Sequence, residues 1–253
     1  MYDEGTGPAI VLLHAGIADA GMWDPQVAPL RAAGYRVVRA DLPGFGASPP
    51  SAQDPAEAVI DALDRLDRLG SAAGGVWPAL VVGASFGGYI AQRLAAARPD
   101  GVRALLLACA AFSGGADPDA GLAELDRRES ELLAAGDLDG ATAVNVDGWL
   151  GPDATADTRD RLTGMLRHAL EVQRDAGVED RELPDVDVAE LTAPALVLTG
   201  GHDFPSITAR GRDSAARMPS ARYLHLPWAG HLPSMERPDA FTRLLLDFAT
   251  EHR

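Results

Sequence analysis

The sequence predicts an α/β fold: a doubly wound, mostly parallel central sheet with flanking helices and a helical lid inserted between two strands. Three observations predict it. Short, almost wholly apolar runs recur along the chain, helical periodicities fill the gaps between them, and the alternation breaks over one long stretch before it resumes.

The runs fall at 9–13, 36–40, 79–83, 104–108 and 195–199, each followed by a glycine or acid and a polar turn. Continuous apolar runs of this length suit central strands of a parallel sheet, buried on both faces. A further strand is expected at 223–226. Between them, Ile60, Leu63, Leu66 and Leu69 recur every three residues along 55–69, and Ile90, Leu94 and Ala97 mark one face of a helix over 87–98. A closing helix over 239–250 would turn Phe241, Leu244, Leu245 and Phe248 inward.

Residues 113–187 carry no strand-like run and are rich in Asp, Glu and Ala, with helices expected at 120–135, 138–149 and 158–176. Strand and helix alternate again from 195. The domain organisation expected is therefore a core of 1–112 and 188–253 with a helical lid of 113–187.

The chain has 253 residues, 47% apolar and 23% charged, as in an ordinary globular protein. A formal charge of −15 argues against binding nucleic acid or an anionic membrane. No apolar run is long enough to span a bilayer, and Asp3 and Glu4 stand where a signal peptide carries Lys or Arg, so a cytoplasmic location is expected. All 22 basic residues are arginine, which excludes a lysine Schiff base or a lysine general base. The lone Cys109 lies in an apolar run and reads as a buried small hydrophobe. The six histidines are scattered without metal spacing, so neither metal nor cofactor is expected.

The stretch ALVVGASFGGYIAQ at 79–92 joins a strand to a helix through a serine fenced by glycines. So tight a turn strains the serine backbone and leaves no room for side chains two residues either side, a need met by Gly83 and Gly87. The hydroxyl of Ser85 is thereby presented at the carboxyl end of the sheet, where open α/β sheets bind ligands. A serine becomes a nucleophile only when a histidine takes its proton and an acid fixes that histidine. His14 ends a strand and reads as loop-shaping. His168 falls in the insertion, His225 inside a strand, His252 in the tail, and His202 reads as a surface residue beside an acid. His231 stands in a loop between the last strand and the last helix, where a base could reach across the sheet edge. Asp203 follows the strand 195–199 through a Gly-Gly turn, although capping the next helix is an alternative role. Asp41 is its rival and reads as a loop brace. The order Ser85, Asp203, His231 is the one expected of an α/β-hydrolase.

Five blocks resemble that family in order: LLHAGIADAGMWDPQ its strand and oxyanion loop, RADLPGFGAS its D-x-x-G-x-G-x-S turn, GASFGG its nucleophile elbow, ALVLTGGHD its acid strand, and GHLPSMERP the stretch around its histidine. The resemblance covers nearly the whole chain. It implies that Ser85 attacks an acyl carbon, His231 shuttles the proton and Asp203 orients His231. The oxyanion would be held by backbone N–H groups of Phe86 and of Gly16, with Ile17 as the alternative to Gly16; Ala15 stands where the family often has glycine. The family usually opens with one or two antiparallel strands, and only eight residues precede position 9 here.

The resemblance implies a serine hydrolase that cleaves a small carboxylic ester, lactone or thioester through an acyl-enzyme. Serine at the elbow speaks against haloalkane dehalogenases and epoxide hydrolases, which carry aspartate there. Ala84 departs from the asparagine frequent in carbon–carbon bond hydrolases. Such a hydrolase, or a cofactor-free perhydrolase, is the alternative activity, and a non-catalytic ligand-binding homologue is the alternative of another class. Trp23, Trp149, Leu150, Met165, Leu166, Leu170, Phe86 and Phe204 could line an acyl pocket, or could simply pack. The partner expected is a small ester or lactone substrate, with the oligomeric state left open.

Overall fold

A computed structural model of the chain describes residues 1–68, 75–114, 117–176 and 183–253. In chain order it contains β1 (Tyr2–Glu4), β2 (Ala9–Leu13), α1 (Asp24–Ala32), β3 (Arg36–Ala40), α2 (Pro55–Arg68), β4 (Ala79–Ala84), α3 (Phe86–Ala97) and β5 (Val102–Ala108). Then come α4 (Ala120–Ala134), α5 (Leu138–Trp149), α6 (Ala156–Ala176), β6 (Ala195–Gly200), α7 (Pro205–Arg217), β7 (Ala221–Leu226), α8 (Pro233–Glu236) and α9 (Pro238–Glu251). The expected strands and long helices fall within a few residues of these bounds. Leu69, the last member of one predicted helical stripe, lies outside the described residues.

The seven strands form one sheet in the order β1-β3-β2-β4-β5-β6-β7, parallel except for β1. Every residue of β2, β3, β4 and β6 is buried, the signature of a sheet covered on both faces. Alternation divides the core in two. Val11, Leu13, Val81, Leu105 and Val197 pack with side chains of α2, α3 and α7, whereas Ile10, Leu12, Val82, Leu106 and Leu198 pack with those of α1 and α9.

The eight residues ahead of β2 do hold an antiparallel strand, with Tyr2, Asp3 and Glu4 opposite Arg39, Val38 and Val37. Ion pairs reinforce that ladder. Arg36, with a fully buried side chain, reaches Asp3 at 2.8 Å, and Arg39 reaches Glu4 at 2.9 Å.

Helices α4 to α6 occupy the break between β5 and β6 and lean on loops at the carboxyl ends of four strands. Arg161 donates to Gly21 O at 2.9 Å, beyond β2, and His168 Nε2 to Gly46 O at 3.0 Å, beyond β3. Asp119, the cap of α4, also accepts the Ser206 N–H at 2.9 Å, beyond β6. Trp149 O accepts the His231 N–H at 2.9 Å, beyond β7. Val146, Leu150 and Leu162 join the core on one side of the sheet and Ala169 the core on the other. The insertion therefore lies across the carboxyl edge. Among the described residues no helix is long and apolar enough to cross a membrane.

Candidate active site

Ser85 joins β4 to α3 with φ 49° and ψ −118°. Among the described residues only it and Cys109 combine a side chain with positive φ, so this turn is held against its own sterics. The glycines explain how. A Cβ on Gly83 would lie 2.6 Å from the Gly87 carbonyl carbon, and one on Gly87 would lie 2.6 Å from the Leu13 carbonyl carbon. The elbow is thus wedged between β4 and the end of β2. Ser85 N–H donates to Ala108 O at 3.1 Å, and Ala111 N–H donates to Ser85 O at 2.9 Å, so the end of β5 curls around the elbow. Gln92, fully buried on α3, ties Gly88 O to Ala111 O and locks that curl.

Asp203 and His231 meet from the ends of β6 and β7. His231 Nδ1 donates to Asp203 Oδ2 at 2.8 Å, with side-chain exposures of 3% and 0%. Removal from water strengthens this bond and fixes the tautomer, leaving Nε2 as the free acceptor. Asp203 Oδ1 accepts the Phe204 N–H at 2.8 Å, one residue ahead of α7, so the carboxylate braces the helix entry and orients the imidazole at once.

The backbone around His231 is clamped on both sides by Glu236 of α8. Its buried carboxylate accepts the Gly230 N–H at 2.7 Å and the Leu232 N–H at 3.1 Å. Burial pushes its carboxyl upward in pKa, against the N–H groups of Gly230, Leu232 and Gly151 and the His231 ring. Gly151 and Gly230 approach so closely that a Cβ on Gly151 would stand 2.6 Å from Gly230 N. The sequence motif GHLPSMERP contains Glu236 but gives it no task; an acid four residues after Leu232, closing the turn on that N–H, is the signal that marks it.

Cys109 lies buried at the end of β5, as its apolar surroundings predict, but it is more than filler. Its N–H donates to Leu198 O at 2.8 Å and its Sγ–H to Gly230 O at 3.6 Å. Its sulfur, the Asp203 carboxylate and His231 lie within 4.8 Å of one another. The Ala108–Ala111 segment that grips Ser85 is therefore the one that carries Cys109 against the Asp–His pair. Three such groups resemble a metal cluster that sequence spacing could not reveal, but the chemistry does not fit one. Nδ1 and Oδ2 are bonded to each other, and burial, then the Asp203 and Glu236 charges, drive the thiol pKa well up and keep it protonated.

His14 and Asp41 serve loops. His14 Nδ1 donates to Ala15 O at 2.8 Å and Nε2 accepts the Leu42 N–H at 2.8 Å. Asp41 accepts the N–H groups of Ala20 at 2.9 Å and Ala47 at 3.1 Å. Of the oxyanion candidates, Phe86 is the first residue of α3, so helix geometry offers its N–H no acceptor, and a Cβ on Gly16 would lie 3.5 Å from Phe86 Cβ. Ile17, half-buried, packs beside the α1-side core.

The pocket candidates separate. The Trp149 ring lies 4.2 Å from the His231 ring, and the Phe204 ring meets Trp149 edge-on at 5.0 Å. Met165 reaches Gly21, where a Cβ would be 3.1 Å from its Cε; Leu166 is buried and Leu170 half-buried on the same helix. Trp23 is fully buried and packs 5.9 Å from Phe241 of α9, so the structure assigns it to the core rather than to the Asp–His pair. Leu150 likewise joins that core.

A family model described as "Alpha/beta hydrolase family" matches residues 10–244. The chain is 32% identical to the pimeloyl-(acyl-carrier protein) methyl ester esterase of Chromobacterium violaceum, over 96% of this chain and 94% of that protein. It is 29% identical to the 2-hydroxy-6-oxo-6-phenylhexa-2,4-dienoate hydrolase of Burkholderia cepacia, over 98% of this chain and 90% of that protein. The crystal structure of the enol-lactonase from Burkholderia xenovorans LB400 superposes with a TM-score of 0.72 at 26% identity, covering 98% of this chain and 95% of that one. With the elbow, the Asp–His pair and the strand order in place, the chain belongs to the alpha/beta hydrolase family of enzymes.

Proposed function

We propose that the protein is a serine hydrolase that cleaves a small carboxylic ester, lactone or thioester through an acyl-enzyme on Ser85. The observation that carries this reading is the strained Ser85 elbow joined, through Ala108–Ala111, to a buried Asp203–His231 pair bonded at 2.8 Å. Ser85 Oγ attacks the acyl carbon as His231 Nε2 takes its proton, and Asp203 holds the resulting imidazolium. The tetrahedral oxyanion is met by the Phe86 N–H at the start of α3 and by the Gly16 N–H, each worth about 3 kcal/mol of barrier. His231 then returns the proton to the departing alcohol, thiol or lactone oxygen. Water, activated by the same imidazole, releases the acid and restores Ser85.

Helices α4 to α6 serve as the lid that selects the acyl group, with Trp149, Phe204, Met165 and Leu166 its apolar contribution. The relatives named as an esterase and an enol-lactonase support this class. A carbon–carbon hydrolase is the second reading, favoured by the relative from Burkholderia cepacia. The test is incubation with a fluorophosphonate, followed by intact mass and peptide mapping, beside a panel of methyl esters, aryl esters and lactones. One adduct on Ser85 and turnover lost in Ser85→Ala support the proposal; folded protein that neither labels nor loses turnover on that change overturns it.

A further inference from the structure

The lid does more than border the substrate. Its residue Trp149 is bound to the base at two points: the His231 N–H donates to Trp149 O at 2.9 Å, and the rings lie 4.2 Å apart at an interplanar angle of 42°. The indole is itself held. Trp149 Nε1–H donates to Asn145 Oδ1 at 2.9 Å, and the buried Asn145 donates from Nδ2 to Glu129 Oε1 of α4 at 2.8 Å. Phe204 closes the far side of the indole, edge-on at 5.0 Å. A ring held by Asn145, Phe204 and His231 is not a freely adjusting pocket wall.

We propose that Trp149 is a positioning residue for His231: the lid fixes the imidazole plane through it, and its π-face stabilises the imidazolium formed as Ser85 attacks. The proposal rests on the Ser85–Asp203–His231 reading given above. The groups facing His231 are known from every side. Asp203 comes from the loop after β6, Glu236 from α8, and the neutral Cys109 thiol from the end of β5. Asp203 meets only Nδ1 and Glu236 takes backbone N–H groups, so neither lies against the ring face. The indole does. A cation within about 6 Å of an indole centroid is attracted by the ring quadrupole, most strongly where water is excluded.

The experiment compares wild type with Trp149→Phe and Trp149→Leu in three measurements. In Trp149→Leu, kcat/KM at the pH plateau falls about ten-fold, with roughly three- to thirty-fold as the range for a desolvated cation on an indole. The midpoint of the acid limb moves to lower pH, by up to about one unit, because an imidazolium deprived of the ring face gives up its proton more readily. Trp149→Phe keeps a π-face and recovers part of both effects. Indole emission in wild type falls on acidification as the imidazolium forms, and that titration disappears in Trp149→Phe and in His231→Ala. If Trp149→Leu raises KM and leaves the acid limb in place, Trp149 lines the pocket without acting on the base, and the proposal is overturned. Should that variant not fold, Asn145→Leu, which releases the indole N–H and loosens the ring, should move both readouts in the same direction by a smaller amount, and no movement of either would overturn the proposal. The emission titration needs no turnover. An unlabelled Ser85 would overturn the triad reading alone, whereas emission blind to Trp149 and His231 would overturn this one.

Discussion

Gly83→Ala is the substitution whose consequence the structure states most directly. The added methyl would lie 2.6 Å from both the Gly87 carbonyl carbon and Gly88 Cα. Carbon atoms rest at about 3.5–4.0 Å, so the start of α3 has to retreat from β4 by roughly 1 Å. Nothing there yields easily. Gly88 N–H and Tyr89 N–H donate to Ser85 O at 2.9 and 3.2 Å, and a Cβ on Gly88 would already be 3.0 Å from Ala110 Cα. Overpacking of this kind costs about 1–3 kcal/mol. A shift of about 1 Å in Ser85 Oγ and the Phe86 N–H costs on the order of a hundred-fold in rate. The assay is kcat/KM on an ester that wild type hydrolyses, with the fluorophosphonate labelling rate and a urea titration of the same sample. Labelling and turnover should fall together while the variant stays folded. Gly164→Ala, in α6 with nothing within 4 Å of the new Cβ, is the control and should leave stability level or raised by up to about 1 kcal/mol. A Gly83→Ala enzyme with wild-type rate and stability would refute the wedge argument.

The remaining predictions separate the buried groups by task. Asp203→Asn should cost roughly a thousand-fold or more in kcat, because the amide cannot hold the charged imidazole. Asp41→Asn should cost about 1–2 kcal/mol of stability with activity within ten-fold, since Asp41 braces Ala20, Ala47 and the Tyr2 hydroxyl; the reverse ranking in steady-state assays would exchange their roles. Glu236→Gln sets an amide N–H against a backbone N–H beside His231, and urea titration should show a loss of about 2–3 kcal/mol, with kcat falling too. Burial lowers the His14 pKa, so the folded protein keeps that ring neutral while the unfolded chain takes up a proton below about pH 6.5. Its contribution is therefore full above that pH and is lost as pH falls toward the folded value. Urea midpoints at pH 7.5 and 5.5 should differ less in His14→Gln than in wild type.

Some elements were silent in the sequence. Helix α1 contains Pro25 and Pro29 and only a weak apolar stripe, and α7 is largely polar, so neither carries a clear 3.6-residue period; packing against α9 and β6 forms them. Strand β1 has three residues with no alternation to read; it is placed by its ladder with β3 and by ion pairs to Arg36 and Arg39. Trp23, one of the residues expected either to line a pocket or to pack, lies in the core against Phe241.

The sequence by itself predicted the sheet and its buried strands and singled out Ser85, Asp203 and His231 as candidates, because apolar runs, glycine spacing and chain order are local properties that survive without coordinates. Only the tertiary structure decided what surrounds them. Cys109, Trp149 and Glu236 come from the end of β5, the insertion and α8, and no spacing rule links them. They meet because the ends of β4, β5, β6 and β7 converge on one carboxyl edge, where buried donors and acceptors find partners across the fold.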